Sequence, residues 1–148
     1  MNNKDRIIQW INSILHEISK LDGNKGIELL HVCGGECSKT SAILEGAVKI
    51  RNEHMNDKDL DKLFAAFKTQ YYDTPGLMKE GNKITLVFEE CTCPMVKEGV
   101  SNPYLCNCTM GYTRKIFETL FNRTIEVDLE KSILNGDKIC KQLISIGE

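Results

Sequence analysis

Asp73-Thr74-Pro75-Gly76-Leu77-Met78-Lys79-Glu80-Gly81-Asn82-Lys83-Ile84-Thr85-Leu86-Val87-Phe88 is the stretch at which the hydrophobic period of the chain changes. Before it, apolar residues recur at spacings of three and four. Leu60, Leu63, Phe64, Phe67 and Tyr71 form the inner stripe of a helix that Asn56 or Asp57 can cap, and Asp73-Thr74-Pro75-Gly76 stops it as a turn. After it, the period falls to two. Leu77 to Glu80 and Lys83 to Glu90 read as strands joined at Gly81-Asn82, with Ile84, Leu86 and Phe88 on one face.

Outward from this point the two halves keep their characters. Ile7, Ile11, Ile14, Ile18 and Leu21, flanked by Ile8 and Leu15, predict an amphipathic helix ending at Asp22-Gly23. A second, short helix runs from Gly26 through Leu30 and His31, and Cys33-Gly34-Gly35-Glu36-Cys37 is expected to interrupt it because two glycines weaken a helix. A third spans Thr40 to about Arg51. On the C-terminal side a helix is expected from Thr109 to Phe121, then strands Thr124 to Ile133 and Ile139 to Ile146 around a turn at Asn135-Gly136-Asp137. The predicted fold is α+β: a helical layer (1–72) packed on an antiparallel sheet made of two hairpins with a helix between them (77–146), all in one domain (1–148).

The 148 residues suffice to bury roughly two-thirds of the unfolded surface, so no staple is required for folding. A net charge of -2 argues against nucleic acid as a partner, and no apolar run reaches the ~18 residues of a membrane span. The polar start, Met1-Asn2-Asn3-Lys4-Asp5, and an odd number of cysteines, seven, point to the reducing cytoplasm and against a disulfide framework.

Four cysteines form two Cys-x-Cys pairs, Cys91-Thr92-Cys93 and Cys106-Asn107-Cys108. If the strand before them continues to Cys93, Cys91 and Cys93 share a face and can converge on one ion. Cys106 is expected in the loop and Cys108 near the N-cap of the following helix, where the dipole favours thiolate. Cys91, Cys93, Cys106 and Cys108 are therefore candidate ligands for zinc, or for an iron-sulfur cluster, with Cys33, Cys37 and Cys140 as further candidates. Two other uses of the thiols stay open. One is a cysteine-dependent hydrolase, with Cys93 or Cys108 attacking an amide, amidine or thiazoline carbon and His31 as base; the other is a redox switch. Core burial is the plainer alternative for any cysteine. His16 and His54 read as surface residues, and Glu89 and Glu90 as a solvated strand end. Ser38-Lys39-Thr40 lacks the glycine spacing of a phosphate loop.

The order of strand, Cys93-Pro94-Met95-Val96, the helix led by Cys106-Asn107-Cys108, strand Thr124 to Leu129, and Asn135-Gly136-Asp137-Lys138-Ile139-Cys140 resembles the 4-vinyl reductase-type small-molecule-binding domains. It is also similar to the L-2-amino-thiazoline-4-carboxylic acid hydrolase-like family. The resemblance covers roughly residues 77 to 146, and Gly136-Asp137-x-x-Cys140 is its most specific piece. It implies a zinc ion held by a cysteine at the helix start, matched by Cys106 or Cys108, and by the cysteine after the Gly-Asp turn, matched by Cys140. At the remaining ligand positions Ser132 stands for a cysteine, and Leu129 or Glu130 for an acid. It further implies an apolar or aromatic small molecule between helices and sheet, lined by Phe64, Phe67, Tyr71 and Leu86. The reading that emerges is a cytoplasmic small-molecule-binding or sensor module with a cysteine-rich metal site, and a homodimer is compatible with it.

Overall fold

A computed structural model describes residues 1–148. Four helices come first: α1 (Asn3–Ser19), α2 (Lys25–Ser38), α3 (Ala42–Glu53) and α4 (Leu60–Tyr71). The hairpin β1 (Leu77–Glu80) and β2 (Lys83–Phe88) follows, then a short α5 (Pro94–Glu98), a 3-10 turn at Pro103–Leu105 and the long α6 (Cys106–Phe121). β3 (Ile125–Lys131), a 3-10 turn at Ile133–Asn135 and β4 (Cys140–Ile146) complete the chain. The strands form one antiparallel sheet in the order β1-β2-β4-β3, so the expected α+β arrangement of two hairpins around a helix is what the chain adopts.

Local chemistry explains most of these boundaries. The Asn2 side chain accepts from the Asp5 N–H at 2.8 Å, and Ser41 from the Ile43 N–H at 3.0 Å, each satisfying a donor that the first turn of a helix leaves free. α4 is capped by Asp59 rather than by Asn56 or Asp57, because Asp57 is engaged one step earlier, accepting from the Asp59 N–H at 2.9 Å. β2 ends at Phe88, two residues before the expected Glu90, and Pro94 then starts α5.

The helix α2 is not interrupted at Cys33-Gly34-Gly35-Glu36-Cys37; it runs unbroken to Ser38. The reason lies across the interface with α6. A Cβ at Gly34 would stand 1.8 Å from the Cys108 carbonyl oxygen, and one at Gly111 would stand 2.3 Å from the His31 carbonyl oxygen. Each helix thus offers a glycine where the other's backbone arrives. Close packing along the pair offsets the ~1 kcal/mol that each glycine costs a helix.

The main core lies between α3, α4 and α6 and the inner face of the sheet. Phe67 is fully buried at its centre and meets Tyr72 and Phe117 edge-on, with ring centroids 6.1 and 6.0 Å away. Phe64 and Leu86 are buried in this core and Tyr71 packs against it. A smaller core of Leu15, Leu30, Val100, Leu105 and Cys108 joins α1 and α2 to the start of α6. Asn12 ties α1 to the segment before α6, its Oδ1 accepting from the backbone N–H of Ser101 and of Asn102 at 3.1 Å each.

Candidate functional site: a sorted set of thiols

All seven cysteines are free, and the fold divides them. Cys91 lies in the loop after β2, Cys93 caps the start of α5, Cys106 is the first residue of α6 and Cys140 the first of β4. Cys140 pairs with Phe88 at the end of the sheet, two residues before Gln142 and on the same face. The Cys106 Sγ lies 3.2 Å from the Ser132 Oγ, and the Ile133 N–H donates to the Cys140 Sγ at 3.4 Å. The connection before β4 is itself pinned, since Asp137 accepts from the Ser132 N–H at 2.8 Å.

The charges of these thiols act on one another. Burial is the first cause that pushes the Cys106 thiol up, and charge on Cys140, Cys91 and Cys93 adds to it against the favourable contact with Ser132. Burial likewise raises Cys91, where the backbone N–H of Cys93 opposes and Cys140 and Cys93 reinforce the shift.

The second Cys-x-Cys pair does not act as a pair. Because α6 begins at Cys106, rather than at Thr109, Cys108 is already inside its first turn and not at the N-cap. Two residues along a helix turn the side chain by ~200°, so Cys106 faces the sheet end while Cys108 faces α2. There it is buried among Leu15, Leu30 and Leu105, and burial, then charge on Cys37, Cys93 and Cys33, pushes its thiol up to about 12. Cys33 and Cys37 lie exposed on α2. The first pair is not on a strand either, because β2 has ended before Cys91.

His31 lines a cleft between α2 and α6 with Glu28, Arg114, Lys115 and Glu118. Its pKa is lowered, first by burial and then by the Arg114 guanidinium, and its Nε2 is buried without a hydrogen-bond partner. His16 is exposed and His54 half-buried.

One participant was not singled out from sequence. Asp137, part of the Gly136-Asp137-x-x-Cys140 piece, holds the Ser132 backbone, but the unforeseen residue is Gln142, buried with its Oε1 unpartnered. Gln142 has a visible signal, being the polar member of an inner face that continues with Ile144 and Ile146.

Sulfur donors of this kind suit zinc or an iron-sulfur centre by their softness. The geometry is not that of a finished site: no three His, Cys, Asp or Glu side chains stand close enough together to hold a metal ion. Thiols on α6 and β4 are fixed by regular structure, whereas Cys91 sits on the loop between β2 and α5.

The fold and its gathered thiols define an α+β cysteine-bearing protein. The chain belongs to the Family of unknown function (DUF6144), whose profile matches residues 1–147. A comparison with curated proteins finds no match. Among solved structures it is similar to the trafficking protein particle complex subunit 3 from Naegleria fowleri covalently bound to palmitic acid, at 13% identity and a TM-score of 0.47, over 99% of this chain and 96% of that one. No helix is long and apolar enough to cross a membrane.

Proposed function

We propose that this chain is a cytoplasmic sensor or small-molecule-binding module in which Cys91, Cys93, Cys106 and Cys140 take up a thiophilic metal ion, zinc first and an iron-sulfur centre second. One observation carries the reading: the Cys91–Cys93 loop, the start of α6 and the start of β4 bear four thiols whose charges act on one another. Thiols serving only as small apolar side chains have no reason to converge in this way. Since no three donors stand ready, uptake is coupled to inward movement of the Cys91–Cys93 loop, and that coupling is what a sensor would report. Free thiols throughout support the cytoplasm as the compartment. The small molecule is apolar or aromatic, as the resemblance implies. Because Phe64, Phe67 and Leu86 are committed to the core, it would need a cavity opened by rearrangement.

Metal analysis of protein purified without added metal tests the proposal. About one equivalent of zinc, lost in Cys106→Ser and Cys140→Ser and kept in Cys33→Ser, is the expected result. A metal-free protein in which Cys91, Cys93, Cys106 and Cys140 alkylate freely, before and after zinc addition, would refute it.

A redox switch is favoured by the same absence of a ready trio of donors. In it, oxidised glutathione accepts two electrons and two protons and leaves as two thiols while a protein disulfide forms, and intact mass lower by two hydrogens would report it. The hydrolase reading has less support. Burial makes Cys108 a poor thiolate, and the charge acting on His31 is that of Arg114.

A further inference from the structure

The helix α1 is apolar on two sides. Its inner residues, Ile8, Ile11, Leu15 and Ile18, pack into the smaller core. Its outer side carries Ile7, Trp10 and Ile14, exposed by 59%, 64% and 37%, and spacings of three and four make them one stripe. Trp10 is the sole tryptophan of the chain, and a slot lined by Asn3, Arg6, Ile7 and Trp10 opens beside it. Nothing in the protomer covers this stripe.

We infer that the outer face of α1 is the contact through which two copies of this chain form a symmetric dimer, with their α1 helices antiparallel and the dyad at Trp10. The stripe is nearly symmetric about that residue, with Ile7 three positions before it and Ile14 four after, so an antiparallel partner sets Ile7 on the partner's Ile14 and Trp10 on the partner's Trp10. Charge agrees with this order. Arg6 makes no ion pair within the protomer, and Glu17 is engaged only with Lys20, both well exposed. In antiparallel helices the same flank of each faces the other, which brings Arg6 toward the partner's Glu17. With Leu21 and Met1, exposed by 47% and 82%, the face offers on the order of 500 Å² of apolar side chain. That is close to the apolar share of a standard half-interface of ~800 Å². A lipid surface is the poorer occupant. Arg6, Ser13 and Glu17 flank the stripe on one side, an edge of mixed charge, whereas a helix lying on a membrane carries mainly lysine and arginine there.

This inference is independent of the thiol site, and the full chain under reducing conditions tests it. Sedimentation velocity from ~1 to ~200 μM should show a monomer-dimer equilibrium, with blue-shifted Trp10 emission in the dimer. Trp10→Glu should raise the dissociation constant by at least ~30-fold while leaving the circular dichroism spectrum intact. Ile7→Lys serves where Trp10→Glu fails to fold. Arg6→Glu and Glu17→Arg should each weaken the dimer, and the double exchange should restore it. A chain monomeric throughout, a dimer indifferent to both apolar variants, or a monomer that instead binds neutral vesicles through Trp10 would overturn the assignment.

Discussion

Gly34 and Gly35 are neighbours on α2, and the same substitution at each should act with opposite sign. At Gly34 an alanine Cβ would meet the Cys108 carbonyl oxygen at 1.8 Å and the Tyr112 nitrogen at 2.7 Å, where real Cβ atoms do not come within 3.0 Å. Neither obstacle is a flexible side-chain end, so α2 and α6 must separate, and contacts along the smaller core loosen with them. Overpacking of this kind costs ~3 kcal/mol, and the better helix propensity of alanine returns ~1 kcal/mol, for a net loss of about 2 kcal/mol. At Gly35 the nearest atom is the Lys115 Cβ at 3.9 Å, an ordinary contact, so only the propensity gain remains. For a chain of this size, Gly34→Ala should lower the melting temperature by ~4–8 °C and Gly35→Ala should raise it by ~2 °C. Calorimetry and urea unfolding provide the measurement. If the two variants shift in the same direction, the backbone contact between α2 and α6 is not as described.

Ser132→Cys sets a further thiol beside Cys106 that can replace a ligand from the Cys91–Cys93 loop, and should raise zinc affinity by at least ~10-fold, read by competition with a chromogenic chelator. Timed alkylation followed by peptide mass spectrometry should label Cys33 and Cys37 first and Cys108 last, since Cys108 is buried and its thiol is pushed up to about 12. His31 is held below its ordinary value of 6.5, so the unfolded chain binds its proton more readily than the folded one. Its contribution is therefore flat above pH 6.5 and turns unfavourable as pH falls below that value. Urea unfolding from pH 7.5 to 5.5 should show a shallower loss in His31→Gln. Arg114 opposes the imidazolium, so Arg114→Gln should reduce the loss as well.

The β1–β2 hairpin was legible almost to the residue because its signals are local: a Pro-Gly stop, a Gly-Asn turn and strict alternation at Ile84, Leu86 and Phe88. The stripe of α4 was legible for the same reason. The continuity of α2 was not, because the weakening effect of Gly34 is visible within its own helix while the compensation comes from Cys108 and Tyr112, more than seventy positions away. The thiols show the same division. Their identity could be read directly, and Cys140 entered through the resemblance, but their directions depended on where α6 begins. That start is set by the Pro103–Leu105 turn, with Asn102 accepting from the Tyr104 N–H, and moving it by three residues separates Cys106 from Cys108. Ser132 could be named as a departure from a pattern, yet only the folded chain sets its hydroxyl against Cys106.

The strand order β1-β2-β4-β3 places between β2 and β3 the strand that is synthesised after both. Until β4 is in place, β2 and β3 each present an unpaired edge, and Cys91, Cys93 and Cys106 stand without Cys140. Any meeting of Cys140 with the other three thiols therefore waits until β4 has entered the sheet between β2 and β3. A nascent chain stalled before Cys140 would be both sticky at its edges and reactive at its sulfurs, a substrate for chaperones and thiol reductants before it can serve any purpose of its own.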